Sequence, residues 1–443
     1  MRRSPTGRST ARSTNRRRAP ADVDVYLFPA VVGGGLGDIE EVLAAGDALA
    51  RAGFRLRLLR LGGRALPRSV DGPWSWPRLA RRTTLSRRGR AALTVAPSWG
   101  VSAAPGRPGA LGRGGAWEAE AATIEAAYGP RSTLHVSLEE FARTLTARSE
   151  DRERLREGGV PARALAERLR RSERAGEQAA LRAAYRRFRG FDRPNVLHLY
   201  ASFRPDPEFE REFPEAVVTG PLWRAGRVAS PRRGSPPGRR EWVWYASPAS
   251  AETIAPEVVE GLRGVRPPIH LVVRTDRSWR WIPPAARATV LAGPRPARAW
   301  QRRFAAAELR IVTGSRTLLE AMALGGPFLY FNGVLGAGRR RRRHRPEKLR
   351  ALLEVARTAG VAPGLRRDLA EFAQGRRVAS IVRRAAGRVG PWARFPSTWP
   401  LTGFRPPFDD AGRLLVDVAR ALARAPDDAP GVVARFRAAP RAL

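Results

Sequence analysis

Apolar runs and charged stretches alternate along the chain in the rhythm of an α/β protein. Residues 23–30 form a short apolar run, and the glycine-rich turn VVGGGLGD follows at 31–38. Apolar residues then recur at helical spacing over 39–53, before a second strand-like run at 54–61. Short apolar runs indicate buried strands, and i, i+3, i+4 spacing indicates an amphipathic helix. This segment therefore predicts a strand–helix–strand unit whose first strand ends in a glycine turn.

The middle of the N-terminal half has a weaker pattern. Residues 62–115 are rich in Gly, Pro and Arg, with one predicted strand at 91–102. Residues 138–189 are highly charged, and their apolar positions follow one helical stripe, which predicts a helical insert. Strand-like runs return at 195–202 and 216–223.

A second α/β rhythm begins after residues 224–240, RAGRVASPRRGSPPGRR, whose Pro, Gly and Arg content predicts a linker. The predicted strands lie at 241–247, 269–276, 288–293, 309–314 and 327–333, and the predicted helices at 250–264, 297–307 and 317–325. We therefore expect two Rossmann-like, doubly wound α/β domains facing a cleft.

The expected domain organisation has five parts. They are a disordered basic tail (1–21), an N-terminal domain with its helical insert (22–223), the linker (224–240), a C-terminal domain (241–405) and a final helix that packs back across the domains, with a tail (406–443). The tail is expected to be disordered because residues 1–20 hold seven Arg, no acidic residue and no apolar run.

Composition excludes several chemistries. The chain has 443 residues and no Cys, so disulfides, zinc–thiolate sites and a Cys nucleophile are excluded. Its four His are far apart in sequence, and we expect no metal site.

The net charge of +40 carries less information than its size suggests. Lys348 is the sole lysine among 81 basic residues, and the arginines are spread along the whole chain. A solvated basic surface explains this better than a specific nucleic-acid site, although it will attract polyanions and anionic lipids. The longest uncharged stretch, 321–338, is interrupted by Gly325-Gly326-Pro327 and Asn332, so it predicts a turn and a strand and not a membrane span. We expect a cytoplasmic protein.

The glycine turn matches none of the common nucleotide-binding motifs. A Walker loop needs a Gly-Lys-Ser/Thr sequence, and Lys348 lies in RPEKLR. The dinucleotide fingerprint that would start at Gly33 has Asp38 in its last glycine position. No Gly-x-Ser-x-Gly nucleophile elbow is present in the sequence. These absences weaken the ATPase, dehydrogenase and α/β-hydrolase interpretations.

Two segments resemble the GT-B-fold glycosyltransferases. GGGLGDIEEVLAAGDALARAGFRLRLL (33–59) is similar to their first strand–helix–strand unit, and IVTGSRTLLEAMALGGPFLYF (311–331) to their donor-binding segment. Among these enzymes, the chain resembles the lipid-linked N-acetylglucosaminyl transferases of peptidoglycan synthesis. The resemblance covers the first 60 ordered residues and roughly 240–333. In those relatives a His commonly follows the glycine turn, where this chain has Asp38.

The resemblance implies a division of labour between the two halves. The N-terminal half would hold the acceptor, and the C-terminal half would bind a nucleotide diphosphate sugar, expected to be a UDP-sugar. No cofactor or metal is implied. The acceptor would be a small molecule or a lipid-linked hydroxyl. The implied glycine turn comprises Gly33, Gly34, Gly35 and Gly37, and the implied donor-binding residues are Gly314, Ser315, Thr317 and Glu320. Ser247 and Ser250 follow the first predicted strand of the C-terminal half, where they either bind the donor's phosphate or are plain turn residues.

Each candidate has a structural alternative. Asp38 is either the base that takes the acceptor's proton or the N-cap of a helix, in a capping box with Glu41. A helix N-terminus would also make its carboxylate a weaker base. Glu320 either binds the donor's ribose hydroxyls or closes a capping box that starts at Thr317. His198 lies in an apolar run, which favours a core histidine over a catalytic one.

Two other features leave the function open. The run Arg339–Arg343, followed by His344 and Arg345, is a solvated loop, a pyrophosphate clamp or a lipid-headgroup patch. The alternatives to sugar transfer are a nucleotide-sugar 2-epimerase or hydrolase of the same fold, and a non-catalytic protein that binds polyanions or lipid. Peripheral contact with the inner face of an anionic membrane is a further expectation.

Overall fold

The computed structural model describes a little more than half of the chain. The described residues are 23–29, 37–59, 91–97, 99, 116–139, 183, 186, 190–201, 211, 213–220, 222, 240–246, 248–275, 288–292, 297–335, 342–344, 346–396, 399 and 411–438. The predicted tail, almost all of the predicted linker and most of the predicted helical insert lie outside these residues.

The N-terminal unit contains a six-stranded parallel sheet. Its strands are β1 (Val23–Leu27), β2 (Arg55–Leu58), β3 (Ala91–Pro97), β4 (Thr133–Glu139), β5 (Val196–Ala201) and β6 (Val217–Thr219). They lie in the order β2-β1-β3-β4-β5-β6, and every neighbouring pair is parallel. The chain starts at β1, moves outward to β2 and then crosses to β3 on the other side. This reversal of direction is a topological switch point, where open α/β sheets bind ligands.

Helices cover both faces of this sheet. The apolar residues of helix α1 (Gly37–Arg51) pack against one face of the sheet. They share a core there with Leu134 and Val136 of β4. Helix α2 (Ala116–Tyr128) packs on the other face through Ala121 and Ile124. Strand β1 is buried along its whole length, as expected of a central parallel strand covered on both faces.

The face beneath α2 holds a buried polar network centred on Asp24. The Tyr128 hydroxyl donates to Asp24 Oδ2 at 2.7 Å, and Arg57 Nη2 donates to Asp24 Oδ1 at 3.3 Å. The Tyr26 and Tyr128 hydroxyls lie 2.8 Å apart. Burial raises the pKa of Tyr128 above its usual range. The carboxylate is therefore held by two donors and ties α2 to β1 and β2.

A second buried network on this face joins His135 to Glu125 and Thr94. His135 Nε2 lies 3.0 Å from Glu125 Oε2, and Nδ1 lies 2.7 Å from Thr94 Oγ1. Arg193 Nη2 donates to the same Glu125 oxygen at 2.5 Å. The hydrogen bond from His135 lowers the pKa of Glu125 to about 2. An ionised Glu125 accepts the Nε2 proton, which leaves Nδ1 to accept from the Thr94 hydroxyl.

The C-terminal unit is a five-stranded parallel sheet with helices. Its strands are β7 (Arg240–Tyr245), β8 (Ile269–Thr275), β9 (Ala288–Ala292), β10 (Leu309–Val312) and β11 (Phe328–Tyr330). Its order is β11-β10-β7-β8-β9, with parallel pairing throughout, so the switch point lies between β7 and β10. The helices between strands are α3 (Pro248–Leu262), α4 (Ala297–Ala306) and α5 (Ser315–Leu324). The two parallel α/β units predicted from the sequence are thereby confirmed.

A hairpin and three further helices complete this unit. Strands β12 (Gly333–Leu335) and β13 (Arg342–His344) pair antiparallel, and they are followed by α6 (Pro346–Thr358), α7 (Pro363–Ala373), α8 (Val378–Gly387) and a 3₁₀ helix at Gly390–Arg394. Asp368 of α7 accepts hydrogen bonds from Arg384 of α8 and from Trp392 Nε1. This carboxylate joins the three helical segments.

The last two helices return to the N-terminal unit. Helix α9 (Ala411–Arg424) buries Leu414, Leu415, Val418 and Leu422 in the same apolar core as α1 and β4. At the start of helix α10 (Ala429–Ala438), the Ala429 amide donates to the carbonyl of Arg131 at 2.7 Å. The C-terminal segment is therefore part of the N-terminal core, although the whole second unit separates them in sequence.

Two corrections concern the sequence boundaries. The predicted helical insert begins too early at 138, because Leu138 and Glu139 belong to β4. Helix α2 and strand β4 themselves were not predicted. In β4, the polar residues Thr133, His135 and Ser137 alternate with apolar residues. This pattern usually indicates a strand with one exposed face, but here the polar side chains are buried as well.

Candidate functional site

The C-terminal candidate site lies where β7 and β10 end side by side. Because parallel strands carry their carboxyl ends at one edge, the segments after β7 and β10 meet at the switch point. The Thr313 hydroxyl, just after β10, donates to the carbonyl of Tyr245, the last residue of β7, at 3.1 Å. This hydrogen bond fixes the two strand ends relative to each other.

Gly314 precedes helix α5 and closes its first turn with Thr317. Gly314 is the N-cap in an extended conformation, and the first intrahelical bond runs from the Leu318 amide to the Gly314 carbonyl at 3.0 Å. The Thr317 hydroxyl donates to that same carbonyl at 3.0 Å and accepts from the Gly314 amide at 3.2 Å. In this structure the Thr317 hydroxyl therefore stabilises the first turn of α5.

The amides at the start of α5 lie at this edge of the sheet. In an α-helix the first N–H groups have no intrahelical acceptor and carry the positive end of the helix dipole. Here these are the amides of Ser315, Arg316 and Thr317, placed directly after β10. Such a helix start suits a phosphate group. Ser315 is the first residue of α5, and its side chain lies outside the described part of the chain.

Glu320 lies one turn further along α5, on the same side as Thr317. Leu318, Leu319 and Ala321 are buried in the core, whereas Thr317 and Glu320 are partly exposed. The capping-box alternative for Glu320 is wrong, because α5 begins at Ser315 and Thr317 is already inside the helix. Glu320 is therefore a helix-interior carboxylate on the less buried face, about one turn from the first amides of α5.

The two serines after β7 are placed only in part. Ser250 belongs to the first turn of α3, and its side chain lies outside the described residues, as does the whole of Ser247. The backbone nevertheless places the start of α3 at the same sheet edge as the start of α5.

The N-terminal candidate site occupies the equivalent edge of the first sheet. Gly33, Gly34 and Gly35 lie outside the described residues, and Gly37 is the first residue of α1. Because the helix begins there, Asp38 lies inside its first turn, and the prediction that it is the N-cap is wrong. The side chain of Asp38 is not among those described. Its backbone belongs to α1, the helix that follows β1, and β1 borders the switch point between β1 and β3.

His198 occupies the core of the N-terminal unit. It is fully buried on β5, and its ring stacks on Phe191 with centroids 4.0 Å apart. Phe191 stacks in turn on Phe213. This aromatic stack separates the imidazole from solvent, and the core role is the one that the structure supports.

The arginine run after β12 is partly a strand. Residues 336–341 and Arg345 lie outside the described part, while residues 342–344 form β13, with side chains that are not described. The interpretation of this run as one continuous loop is therefore wrong for its second half.

Sequence reasoning missed an aromatic and cationic group beside the C-terminal switch point. Arg274, at the end of β8, lies over the rings of Tyr245 and Trp300. The apolar run IHLVV before Arg274 predicted the strand, but no motif marked the arginine.

Neither a membrane span nor a metal cluster occurs in the described residues. Within those ranges, no helix is long and apolar enough to cross a membrane. The same ranges contain no group of three or more His, Asp or Glu side chains placed to hold a metal ion.

Comparisons with known proteins gave matches to solved structures alone. The sequence matches no protein-family model, and no curated protein matches it. The chain is similar to WaaG, a glycosyltransferase involved in lipopolysaccharide biosynthesis, at 15% identity, covering 83% of this chain and 99% of that one, with a TM-score of 0.40. It is similar to UGT89C1 of Arabidopsis thaliana (11% identity, 94% and 99% covered, TM-score 0.42) and to the glycosyltransferase SnogD from Streptomyces nogalater (12%, 91% and 99%, 0.41). The fold described above rests on strand pairing and not on these similarities.

Proposed function

We propose that this protein is a glycosyltransferase that uses a nucleotide diphosphate sugar, a UDP-sugar in the first instance. The transferred group is a hexose or an N-acetylhexosamine, and the acceptor is a hydroxyl. The observation that carries the proposal is that Gly314, the start of α5 and Glu320 follow one another on the segment that leaves β10 beside the β7–β10 switch point. The segment 311–331, which resembles the donor-binding segment of GT-B enzymes, supplies all three.

Each part of this segment has a chemical task in the proposed reaction. The amides at the start of α5 bind the diphosphate, because they present N–H groups and the positive end of the helix dipole. The Glu320 carboxylate accepts hydrogen bonds from the ribose hydroxyls, which a nucleotide held at the switch point would carry one turn away. Transfer forms a bond from the acceptor oxygen to the anomeric carbon and breaks the bond from that carbon to the diphosphate. The leaving diphosphate gains negative charge, which the same amides stabilise.

The acceptor side of the proposal concerns the N-terminal unit. Asp38 follows β1 at the switch point of the first sheet, where a carboxylate in a donor–acceptor cleft would take the proton that the acceptor hydroxyl loses. We extend the proposal to lipid-linked acceptors reached by peripheral contact with an anionic membrane. The support for this extension is the resemblance to peptidoglycan N-acetylglucosaminyl transferases and the run Arg339–Arg343.

A thermal-shift screen against nucleoside diphosphates and their sugars tests the donor part. A ligand at 100 times its dissociation constant should stabilise the protein by about 2.7 kcal/mol. Glu320→Gln keeps the shape and the helix propensity but removes the charge. We expect the affinity of this variant for the nucleotide to fall by about 1.5–3 kcal/mol, the range for hydrogen bonds to charged groups, with unchanged melting in the absence of ligand.

Three outcomes would contradict the proposal in different ways. A Glu320→Gln variant that loses stability and keeps full nucleotide affinity would give Glu320 a structural role alone. Donor turnover that needs no acceptor would indicate a hydrolase or an epimerase. Binding that is abolished by salt and shows no preference among nucleotides would indicate a polyanion-binding protein.

A further inference from the structure

Arg310, the second residue of β10, lies in the interior of the C-terminal unit. Only 3% of its surface is exposed. Burial lowers the pKa of Arg310 to about 10, which leaves the guanidinium charged at neutral pH. Among the described residues no carboxylate pairs with it. A buried cation is costly unless other groups accept its N–H donors and balance its charge.

Three backbone carbonyls at the ends of two helices accept hydrogen bonds from this guanidinium. Nε donates to the Phe304 carbonyl at 2.7 Å and Nη2 to the Ala305 carbonyl at 2.8 Å, both in the last turn of α4. Nη1 donates to the carbonyl of Gly325, the C-cap of α5, at 2.9 Å. The carbonyls at a helix end lack intrahelical donors and carry the negative end of the helix dipole. One buried cation therefore balances the negative ends of both helices.

Arg310 also holds the turn that leads from α5 to β11. Its amide donates to the Pro327 carbonyl at 3.2 Å, and its register partner on β11 is Phe328. Gly325 and Gly326 form the turn with φ values of 69° and 75°, a region that favours glycine. A Cβ atom at Gly326 would lie 3.7 Å from Nη1 of Arg310, so the turn packs directly on the guanidinium. The backbone and the side chain of one residue thus fix the far end of α5 to β10.

Helix α5 is therefore attached by hydrogen bonds at both ends and by apolar contacts in its middle. At its start, the Thr317 hydroxyl bonds to the amide and the carbonyl of Gly314. Along the helix, Leu318 and Met322 are buried in the core. Apolar burial determines which face of the helix meets the sheet, but it is not directional. The position of α5 along β10 depends more on directional hydrogen bonds, such as those from Arg310.

We infer that Arg310 is a positioning residue, which holds α5 at the place along β10 where its first amides meet the diphosphate of the donor. This role rests on the proposed function. Hydrogen bonds weaken steeply as their distances and angles depart from the preferred values. A displacement of about 1 Å at a binding site has large effects for this reason. Arg310 itself stays at the opposite end of α5 and touches no substrate.

Calorimetric titration of UDP into wild type and three variants tests this inference. Arg310→Met keeps a long apolar stem and removes all three hydrogen bonds to the helix ends. Its affinity for UDP should fall about tenfold or more, the loss of one hydrogen bond to a charged group. Arg310→Lys should lie between, because an ammonium group keeps the charge and loses the planar set of donors.

Arg240→Met is the matched control. Arg240, at the amino end of β7, also donates to a carbonyl in the last turn of a helix, that of Ala386 in α8, and it pairs with Glu308. Helix α8 carries no part of the proposed donor site. Arg240→Met should therefore melt earlier, as Arg310→Met should, and bind UDP with the affinity of the wild type.

Each protein is titrated at a temperature at which circular dichroism shows it to be folded, so that reduced stability alone leaves the UDP affinity unchanged. Wild-type affinity in Arg310→Met, or an equal loss in Arg240→Met, would overturn the positioning role and leave the proposed function in place. If Arg310→Met does not fold, the same comparison is made with Arg310→Lys. If the wild type binds no UDP, the donor part of the proposed function fails, and the inference fails with it.

Discussion

Asp38 combines a helix-stabilising position with the proposed catalytic one. A carboxylate in the first turn of α1 is favoured by the helix dipole, and asparagine keeps the size and shape of this side chain without its charge. We therefore expect Asp38→Asn to fold normally and to bind the donor with unchanged affinity. If the carboxylate takes the acceptor's proton, turnover should fall about 10²–10⁴-fold, measured as release of nucleoside diphosphate. Unchanged turnover would remove Asp38 from the mechanism.

The His135–Glu125 pair makes stability depend on pH. Burial lowers the pKa of His135 below its usual 6.5, although its hydrogen bond to Glu125 opposes this. As the pH falls through about 6.5, the unfolded chain therefore binds the proton first, and the free energy of unfolding decreases. The pKa of Glu125 is lowered from 4.5 to about 2, so its contribution is complete above about 4.5 and is lost as the pH falls towards 2.

Denaturant unfolding at a series of pH values measures this dependence. The variant His135→Gln keeps hydrogen-bonding groups and has no proton to gain in this range. The difference in unfolding free energy between wild type and this variant should therefore be largest near neutral pH and should shrink below about 6.5. A difference that stays constant from pH 7.5 to pH 5 would show that His135 does not titrate differently in the two states.

At the scale of elements, the packing of α3 on α8 depends on one glycine. A Cβ atom at Gly261 would lie 2.6 Å from the Ala379 carbonyl oxygen and 2.6 Å from Val382 Cβ. Gly261→Ala should therefore destabilise the protein by about 1–3 kcal/mol, as overpacking does, measured by chemical denaturation. Gly364→Ala is the control, because its Cβ would meet Pro391 at an ordinary 3.6 Å. Equal effects of the two substitutions would contradict the packing argument.

The sequence was most informative where the elements are apolar. The runs that became β1, β7 and β10 are mainly apolar, and the sequence predicts their strands to within a few residues. The local pattern does not predict strand β4, because about half of its residues are polar. His135 of this strand is hydrogen-bonded to Glu125 on another element, and Glu125 also accepts from Arg193. Long-range hydrogen bonds of this kind are not visible in a local pattern.

For the candidate site, the sequence predicted the segment that forms it but not all of the side-chain contacts around it. The motif around Gly314 located the segment that lies at the switch point, and the strand order then placed it there. The role of the Thr317 hydroxyl depends on where α5 begins. The predicted helix starts at 317, whereas α5 starts at Ser315, so Thr317 lies inside the first turn and bonds to Gly314. Arg274 was missed because its environment is created by Tyr245 and Trp300, on two other elements.

At the scale of the whole molecule, the C-terminal segment connects both ends of the chain. Helix α9 completes the apolar core of the first unit after the chain has built the second one. The Ser132 hydroxyl donates to Asp427 at 2.8 Å, and Arg437 donates to the Val196 carbonyl at 2.7 Å. The N-terminal unit thus includes residues from both ends of the described chain.

The charge of the whole molecule leads to a prediction about membranes. An arginine near an anionic surface contributes about 1 kcal/mol to binding, so the run Arg339–Arg343 should support salt-reversible binding to anionic vesicles and little binding to neutral ones. Replacing these five residues by Gln should weaken vesicle binding in sedimentation and spare nucleotide affinity. Five arginines replaced within 152–174 form the control. Equal losses in both variants would mean that net charge alone explains the binding.

The central claim is that the nucleotide of the donor binds at the β7–β10 switch point. The most direct test is to measure which segments of the chain a bound nucleotide protects from hydrogen exchange. With UDP or a UDP-sugar at saturation, amide exchange measured by mass spectrometry should slow most in peptides that contain Gly314–Glu320 and the start of α3. Peptides from β4 and α2 in the N-terminal unit should exchange as before, and Glu320→Gln should weaken the protection. Protection confined to the N-terminal unit, or no protection at saturating nucleotide, would contradict donor binding at the β7–β10 switch point.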